Sequence, residues 1–259
     1  MSDTLCDLFP RPKPVVAVLH VGPSPGVPGS RDVGAVVDRV VAETRLLVDL
    51  GVDGLLVENA YDEPALVGDA VGPEVVAFMT RVAGAVRRHA GRLPVGVRVL
   101  HSGEAGLAVA HAAGCHFVRV DGWAADPSAA ARFHRYRGVL GSDLPALADL
   151  RPRGADDVPA LVAAVEAGRP DVLLVLGPRP GALPLPGVVE AARAHAERPL
   201  FCGGGLNADT LPDVVDDADG FLIGSGLKER CRWKAPVSEP HVRAIIGVAE
   251  YARGQEVRQ

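Results

Sequence analysis

Acidic and basic residues alternate at the ends of short apolar segments, a pattern that can support acid–base chemistry. The six residues are Glu58, Arg98, Arg119, Asp121, Asp149 and Arg151. A carboxylate held against a guanidinium stays ionised and can act as a base or stabilise an oxocarbenium ion, whereas a carboxyl group with a raised pKa can act as an acid. We therefore predict that Glu58 and Asp149 are catalytic and that the arginines, Asp121 and Asn59 bind substrate. The alternative is a self-neutralising ion-pair network that does no chemistry.

Two histidines and a tryptophan lie close to the same segment ends. His20 and His101 are predicted to be catalytic, because a histidine can carry a proton or donate a hydrogen bond to a substrate. Taken singly, each is more often an ordinary hydrogen-bonded histidine. Trp123, one of two tryptophans, is predicted to bind substrate by stacking on a base or sugar face, with packing in an apolar layer as the alternative.

Two apolar segments near the C-terminus run directly into glycine clusters. Glycines leave backbone N–H groups uncovered, and such groups readily bind phosphate. The predicted phosphate-binding residues are Gly203, Gly204, Gly205, Gly224, Ser225, Gly226 and Lys228. The alternatives are a tight turn for a glycine cluster taken alone and a solvated side chain for the lysine.

The elements that must position these residues are repeated βα units, since Val/Leu-rich runs alternate with amphipathic stretches along the whole chain. The predicted strands are residues 15–21, 54–59, 95–100, 116–121, 146–150, 172–177, 200–204 and 220–224. A helical pattern follows each strand, so eight helices are predicted. The predicted helix starts are Asp32, Ser102, Asp157 and Asn207, and the predicted helix ends are Gly51, Gly114, Gly141 and Gly168. The fold class is therefore α/β, a single-domain (β/α)8 TIM barrel over residues 1–259, with residues 1–12 as an N-terminal extension.

This fold would bring the candidate residues together. One face of every barrel strand lies under helices, so a charged strand residue must point into the barrel or its mouth. The C-terminal strand ends share one face of the barrel, where enzymes of this fold keep their chemistry, and the loops after strands 7 and 8 commonly bind phosphate. The glycine- and proline-rich loops at residues 22–30 and 60–72 belong to that face and are predicted either to cover a substrate or to be stiff surface loops.

Charge and composition argue against several other classes of function. A net charge of −5 with interleaved acidic and basic residues offers no basic surface to nucleic acid. Residues 1–13 lack the basic start and apolar run of a signal peptide, and no apolar segment approaches the ~20 residues of a membrane span, so we expect a cytoplasmic protein without a membrane partner. The spacing of Cys6, Cys115, Cys202 and Cys231 suggests neither a zinc site nor a disulfide framework.

No cofactor and no metal are expected. A G-x-G-x-x-G motif after the first strand is absent. A divalent metal on Glu58, Asp121 and Asp149 is disfavoured by the interleaved arginines.

Several segments resemble the BtpA/SgcQ family. They are Lys13–His20 followed by Pro25-Gly26, Gly51–Asn59, Phe117–Val120, Ala148-Asp149 and Gly224–Lys228. The resemblance covers about residues 13–250 and implies a barrel of the ribulose-phosphate-binding type. The chain departs from the family pattern at Arg98, at His101-Ser102-Gly103, at Asp121-Gly122-Trp123 and at Arg153-Gly154. We therefore expect a retained scaffold and phosphate site with a diverged substrate or reaction.

The leading functional hypothesis is an enzyme that acts on a phosphorylated sugar or nucleotide, with cleavage or transfer at the anomeric carbon of a ribosyl phosphate. Isomerisation or carbon–carbon cleavage of a sugar phosphate is an alternative, as is a barrel that binds a ligand or assembles without catalysis. A Schiff-base lysine ranks last, because Lys13, Lys228 and Lys234 are the only lysines and none lies inside a strand. The expected partner is a phosphorylated small molecule, and a homo-oligomer is compatible with the fold.

Overall fold

Eight parallel strands close into a barrel in their order along the chain, and β1 pairs with both β2 and β8. The computed structural model describes residues 8–30 and 32–256. The strands are β1 (Val15–His20), β2 (Gly54–Glu58), β3 (Val95–Arg98), β4 (Phe117–Val120), β5 (Ala146–Leu150), β6 (Val172–Val175), β7 (Leu200–Gly203) and β8 (Gly220–Ile223). The predicted (β/α)8 barrel is confirmed, with most strands ending a residue or two before their predicted limits.

Seven α-helices cover the barrel within the described residues. They are α1 (Val33–Asp49), α2 (Pro73–His89), α3 (Gly103–Ala113), α4 (Pro127–Leu140), α5 (Val158–Ala167), α6 (Val188–His195) and α7 (Glu239–Glu256). Several begin and end at the predicted residues. Asp32 and Ser102 accept hydrogen bonds from the N–H groups of Ala35 and Ala105, and Gly114 ends α3 in the left-handed conformation.

The prediction of an eighth helix is wrong for the segment between β7 and β8. That segment contains only a 3₁₀ turn, Leu211–Asp213. Asn207, expected to begin a helix, does accept hydrogen bonds from the N–H groups of Asp209 and Thr210 as a cap would, but no α-helix follows it. The segment is short and contains Pro212 and several aspartates, which are weak helix formers.

The barrel interior has its own apolar core, distinct from the larger layer between strands and helices. Its members are Phe9, Val16, Val18, Leu56, Phe117, Leu147, Val172, Leu174, Leu176, Phe201 and Leu222. Phe9 belongs to the predicted N-terminal extension, of which residues 1–7 lie outside the described residues. Its ring centroid lies 6.0 Å from that of Phe117 and 5.8 Å from that of Phe201. The extension therefore contributes an apolar plug to the barrel.

Each of these three rings faces a glycine on a neighbouring strand. A Cβ atom on Gly96 would lie 2.1 Å from the Phe117 ring, and one on Gly220 would lie 2.5 Å from the Phe201 ring. A Cβ atom on Gly54 would likewise meet Phe9 at 2.8 Å. Since heavy atoms cannot approach so closely, these positions need glycine to admit the rings.

Within the described residues, no helix has the length and apolarity that crossing a bilayer requires.

Candidate functional site

The interior positions at the C-terminal end of the barrel differ between its two halves. On β1–β5 they are polar or charged: His20, Glu58, Arg98, Arg119 and Asp149. On or just after β6–β8 they are Leu176, Gly203 and Gly224. The side-chain alternation that directs Phe117 and Phe201 inwards also directs these residues inwards. The mouth thus has a charged half and an uncharged half lined by small or apolar residues.

Salt bridges join the central charged side chains across β2–β5. Glu58 accepts a hydrogen bond from Arg98 Nη1 at 2.9 Å through Oε1 and one from Arg119 Nη1 at 3.0 Å through Oε2. Arg119 also binds Asp149 side-on, with Nε to Oδ1 at 2.8 Å and Nη2 to Oδ2 at 3.0 Å. None of these four side chains is more than 9% exposed. Both carboxylates are therefore fully engaged in a buried network.

This network, which we call the ion chain, extends towards solvent at both ends. At one end Arg98 Nη2 donates to Asp121 Oδ2 at 2.6 Å, and His101 Nδ1 lies 3.3 Å from the same oxygen. At the other end Arg151 donates to Asp149 Oδ2 at 3.3 Å and to the Gly177 carbonyl at 3.2 Å. The structure thus brings seven of the predicted site residues together in the ion chain.

The two predicted catalytic carboxyls are both held ionised. Burial alone would raise the pKa of Glu58, but Arg98 and Arg119 outweigh it and the pKa lies below its usual value. Burial likewise opposes ionisation of Asp149, yet Arg119 lowers the pKa of this carboxyl. Neither carboxyl therefore has the raised pKa that acting as the acid would require. Nearby guanidinium groups dominate over desolvation here.

His20 lies at the C-terminal end of β1, in register with Glu58. Burial lowers the pKa of its imidazole to about 4, although Glu58 acts in the opposite direction. The imidazole is therefore neutral at pH 7. Among the described residues, the buried side-chain polar atoms without a hydrogen-bond partner are His20 Nδ1 and Arg98 Nε. Since such atoms are rare in proteins, their occurrence together makes the mouth the candidate ligand site.

The loops after β7 and β8 present unpaired amides, and one of them, that of Gly224, lies beside His20. Within residues 8–30 and 32–256, the N–H groups of Gly204, Gly205 and Gly224 have no hydrogen-bond acceptor, and all three residues are partly exposed. Positive φ angles of 82° and 68° at Gly204 and Gly205 turn the backbone away from the strand. A Cβ atom on Gly224 would lie 2.9 Å from His20 Cε1. Uncovered amides on adjacent strands are the kind of donors that hold an anion.

The remaining predicted phosphate residues, Gly203, Ser225, Gly226 and Lys228, lie in different surroundings, and their contact with phosphate stays a prediction. A Cβ atom on Gly226 would lie 1.9 Å from the Leu206 carbonyl oxygen, so this glycine lets the two loops pack together. Gly203 is buried within β7, while Ser225 is half-buried. The buried ammonium of Lys228 donates to Glu43 Oε2 on α1 at 3.1 Å. A role of Lys228 on phosphate stays a prediction, and this ion pair competes with it.

Asn59 ties three loops together through Asp62, a residue that sequence reasoning missed. Asp62 accepts hydrogen bonds from Ser24 N at 2.8 Å, Ser24 Oγ at 2.7 Å and Asn59 Nδ2 at 2.8 Å. Asn59 Oδ1 accepts the Leu100 N–H at 2.8 Å. The loops at residues 22–30 and 60–72 are thus bound to each other and to the end of β3. A structural role for Asn59 is explicit in this geometry, and its predicted contact with substrate stays a prediction.

The two tryptophans have opposite environments. Trp123 is 3% exposed and packs against Phe133 and His134 of α4, so the expectation that it stacks on a substrate is wrong and the apolar-packing alternative is right. Trp233 instead is half-buried at the mouth, with ring centroids 5.7 Å from His20 and 4.7 Å from Tyr61. Sequence reasoning missed Trp233, although its position shortly after β8 could have drawn attention to it.

A metal centre and a cavity outside the barrel are the two other kinds of site to consider. Among the described residues, no three His, Cys, Asp or Glu side chains are arranged to hold a metal ion. A cavity of about 540 Å³ lies outside the barrel between α6 and the 3₁₀ turn and is lined by residues such as Leu183, Leu206 and Asp217. It contains no residue of the mouth, so we do not assign the chemistry to it.

Solved structures share this fold at low sequence identity. Thiamine phosphate pyrophosphorylase from Pyrococcus furiosus has a TM-score of 0.61 and 13% identity, covering 93% of this chain and 96% of that one. Phosphoribosyl anthranilate isomerase from Thermus thermophilus has a TM-score of 0.60 and 17% identity, covering 94% and 99%. 3-Hexulose-6-phosphate synthase from Salmonella typhimurium has a TM-score of 0.62 and 16% identity, covering 92% of this chain and 99% of that one. At this identity the likeness shows the fold.

Sequence relatives span nearly the whole chain. Photosystem I biogenesis protein BtpA of Synechocystis sp. is 30% identical, covering 93% of this chain and 90% of the relative. An uncharacterised protein of Pyrococcus furiosus is 29% identical, covering 93% and 96%. The model of the BtpA family matches residues 11–251. With the barrel and the earlier motif resemblance, these matches show that the chain belongs to the BtpA family.

Proposed function

We propose that this protein is an enzyme that acts on a phosphorylated small molecule at the barrel mouth, with cleavage or transfer at the anomeric carbon of a ribosyl phosphate. The observation that carries the proposal is the set of unpaired, partly exposed amides of Gly204, Gly205 and Gly224 on the loops after β7 and β8. A phosphate on these amides would direct the rest of the ligand towards β1–β5. The names of the three fold relatives, each of which mentions a phosphorylated or phosphoribosyl compound, are consistent with this.

The ionised carboxylates favour chemistry in which positive charge develops on the substrate. Cleavage at an anomeric carbon passes through an oxocarbenium-like state, which a nearby carboxylate stabilises. Glu58 and Asp149 would supply that field, because their lowered pKa values keep both negative at neutral pH. Neither would donate the proton to the leaving group. That role falls to His101, which is exposed and lies against Asp121.

The two unpartnered buried atoms would serve substrate recognition. Arg98 Nε is a donor in every protonation state, and a neutral His20 can donate or accept through Nδ1. A substrate hydroxyl beside each of these atoms would satisfy it. The penalty of about 1–3 kcal/mol for a buried unsatisfied group would then be relieved upon binding.

Amide chemical shifts test the phosphate site directly. We expect ribose 5-phosphate to shift the ¹H–¹⁵N resonances of Gly204, Gly205 and Gly224 saturably, while ribose alone leaves them unchanged. Titration with inorganic phosphate should move the same resonances more weakly. Unaltered glycine resonances at millimolar ligand would refute the proposal.

Activity is tested with ribosyl phosphates and nucleoside monophosphates as substrates and with charge-neutralising variants. Glu58→Gln and Asp149→Asn should lower turnover by about 100-fold or more, because each removes a charge that acts on the transition state. Asp53→Asn is the matched control. It alters a carboxylate that is buried against Arg253 and accepts the Val15 N–H, away from the mouth. It should reduce stability while turnover per folded molecule stays unchanged.

A non-catalytic binding barrel is the second candidate, and one observation favours it. Every oxygen of Glu58 and Asp149 already accepts a hydrogen bond from an arginine. In that case Glu58→Gln and Asp149→Asn would keep full biological activity, and ligand would bind without turnover. An isomerase or lyase acting on a sugar phosphate would instead show turnover of phosphorylated sugars that lack a leaving group at the anomeric carbon.

A further inference from the structure

Trp233 and Tyr61 form an aromatic surface at the mouth, which we call the aromatic wall. Their ring centroids are 4.7 Å apart and the ring planes meet at 60°. Both residues are half-buried, so part of each side chain remains accessible. The ammonium of Lys234 lies 4.6 Å from the Trp233 centroid and 5.5 Å from that of Tyr61. The wall therefore combines two ring faces with one cation.

The wall is held in place from two directions. Trp233 belongs to a short hairpin, residues 228–238, closed by hydrogen bonds from Glu229 N to the Pro236 carbonyl and from Ser238 N to the Leu227 carbonyl. Tyr61 precedes Asp62, whose carboxylate is fixed by Ser24 and Asn59. A surface fixed before binding loses little conformational entropy when a ligand arrives.

The wall adjoins the phosphate amides through a single side chain. His20 packs against Gly224 on the phosphate loop and lies 5.7 Å, centroid to centroid, from Trp233. One imidazole ring thus separates a donor for phosphate from the indole. A ligand with phosphate at one end and a planar ring at the other matches this arrangement.

The chemistry of the wall favours an aromatic base over a bare sugar. Sugar recognition relies on hydroxyl-binding groups, yet the hydroxyl of Tyr61 is directed to the Lys234 carbonyl at 3.5 Å. Indole and phenol rings stack on nucleobases regardless of their hydrogen-bonding edge. The ammonium of Lys234 can donate to a carbonyl oxygen or ring nitrogen at the edge of such a base.

We propose that the aromatic wall binds the base of a nucleotide-like ligand whose phosphate occupies the glycine loops. This inference rests on the proposed phosphate site and narrows the substrate class from phosphorylated sugars in general to phosphorylated compounds that carry an aromatic ring. Trp233 and Tyr61 are then specificity-determining residues.

Fluorescence with Trp233 as the single tryptophan tests the inference. Trp123→Phe removes the other indole but keeps a ring against Phe133. In this variant we expect AMP and UMP to quench Trp233 saturably and ribose 5-phosphate to leave it nearly unchanged. Stacking of a base corresponds to about 5- to 100-fold in affinity, so at least one nucleotide should bind that much more tightly than ribose 5-phosphate.

Substitution of the wall separates this inference from the phosphate site. Trp233→Leu should bring nucleotide affinity down to that of ribose 5-phosphate and leave ribose 5-phosphate affinity unchanged, while Trp233→Phe should restore most of the difference. Tyr251→Leu, at an exposed aromatic of α7, is the matched control and should change neither affinity.

Three results would overturn the inference. If nucleotides and ribose 5-phosphate shift the glycine amides with equal affinity and Trp233→Leu changes neither, the wall does not bind the ligand and the phosphate site stands. Equal weakening of both ligands by Trp233→Leu would assign the wall to the sugar instead of a base. If no phosphorylated compound shifts the glycine amides, the proposed function fails and the inference fails with it.

Discussion

His20 should make the folded state less stable in mild acid. The unfolded chain takes up a proton at a histidine pKa of about 6.5, whereas the folded chain resists it until its own pKa of about 4. Between these values the unfolded state binds more protons, so stability falls as the pH falls. Linkage gives a loss on the order of 2 kcal/mol from pH 7 to pH 5. Urea unfolding of wild type and of His20→Asn at both pH values measures it.

The difference in unfolding free energy between wild type and His20→Asn separates the effect of His20 from that of the other titrating groups. Burial also lowers the pKa of His116, but His116 is present in both proteins. Glu58 and Asp149 have lowered pKa values, so their stabilisation is present above the usual carboxyl range and is lost only at lower pH. An equal pH dependence in wild type and His20→Asn would contradict the assignment.

Arg119 is the residue whose loss should cost most within the ion chain. It binds Glu58 and Asp149 together, so Arg119→Met leaves two buried carboxylates short of a partner. Breaking a buried pair in this way costs about 3–5 kcal/mol. Arg132→Met, which breaks exposed pairs with Glu104 and Asp126, should cost about 0–1 kcal/mol. Denaturant unfolding of the two variants measures the contrast, and similar losses would show that the ion chain is not a stabilising centre.

At the scale of elements, Asp62 should keep the loops after β1 and β2 closed and well ordered. Asp62→Ala leaves the Ser24 N–H, the Ser24 hydroxyl and the Asn59 amide without their acceptor. Each unsatisfied buried group costs about 1–3 kcal/mol, so both loops should open more often. Hydrogen exchange at the Ser24 amide should become faster. Asp69→Ala, at an exposed position in the same loop region, is the control and should leave it unchanged.

Strand positions were predictable because Val/Leu runs buried on both faces are distinctive, and β5 matches its predicted limits, residues 146–150. Charged residues within such runs must point inwards, which is why Glu58, Arg98, Arg119 and Asp149 could be found. Their pairing could not be predicted. Which arginine meets which carboxylate depends on strand register and side-chain length, and that pairing is what lowers the pKa of both carboxyls.

Other features have local sequence signals that fit more than one structure. A tryptophan in a loop looks the same whether it packs under a helix, as Trp123 does, or lies at the mouth, as Trp233 does. The helix missing between β7 and β8 was predicted because Asn207 resembles a cap. Its amide oxygen does make the hydrogen bonds of a cap, but a cap does not fix how many residues continue the helix, and only a 3₁₀ turn follows.

At the scale of the whole molecule, the barrel depends on a residue that precedes its first strand. Phe9 is 1% exposed and packs between Phe117 and Phe201. Phe9→Ala should destabilise the protein by about 3–5 kcal/mol, because it empties a cavity in a closed barrel that cannot collapse. Tyr251→Ala, at a 72% exposed ring, should change stability by less than about 0.5 kcal/mol. Thermal unfolding measures the melting temperatures of the two variants, and equal values would contradict a stabilising role for Phe9 in the barrel interior.

The ion chain also bears on how this sequence can change over evolutionary time. Because Arg119 shares Glu58 with Arg98 and binds Asp149 side-on, a single replacement at any of these positions strands a neighbour's charge. Drift at the mouth must therefore proceed by coupled replacements, with both partners altered in the same lineage. An alignment of the family should show positions 98 and 121, which are paired here and both depart from the family pattern, covarying with each other, while positions 58, 119 and 149 are kept together.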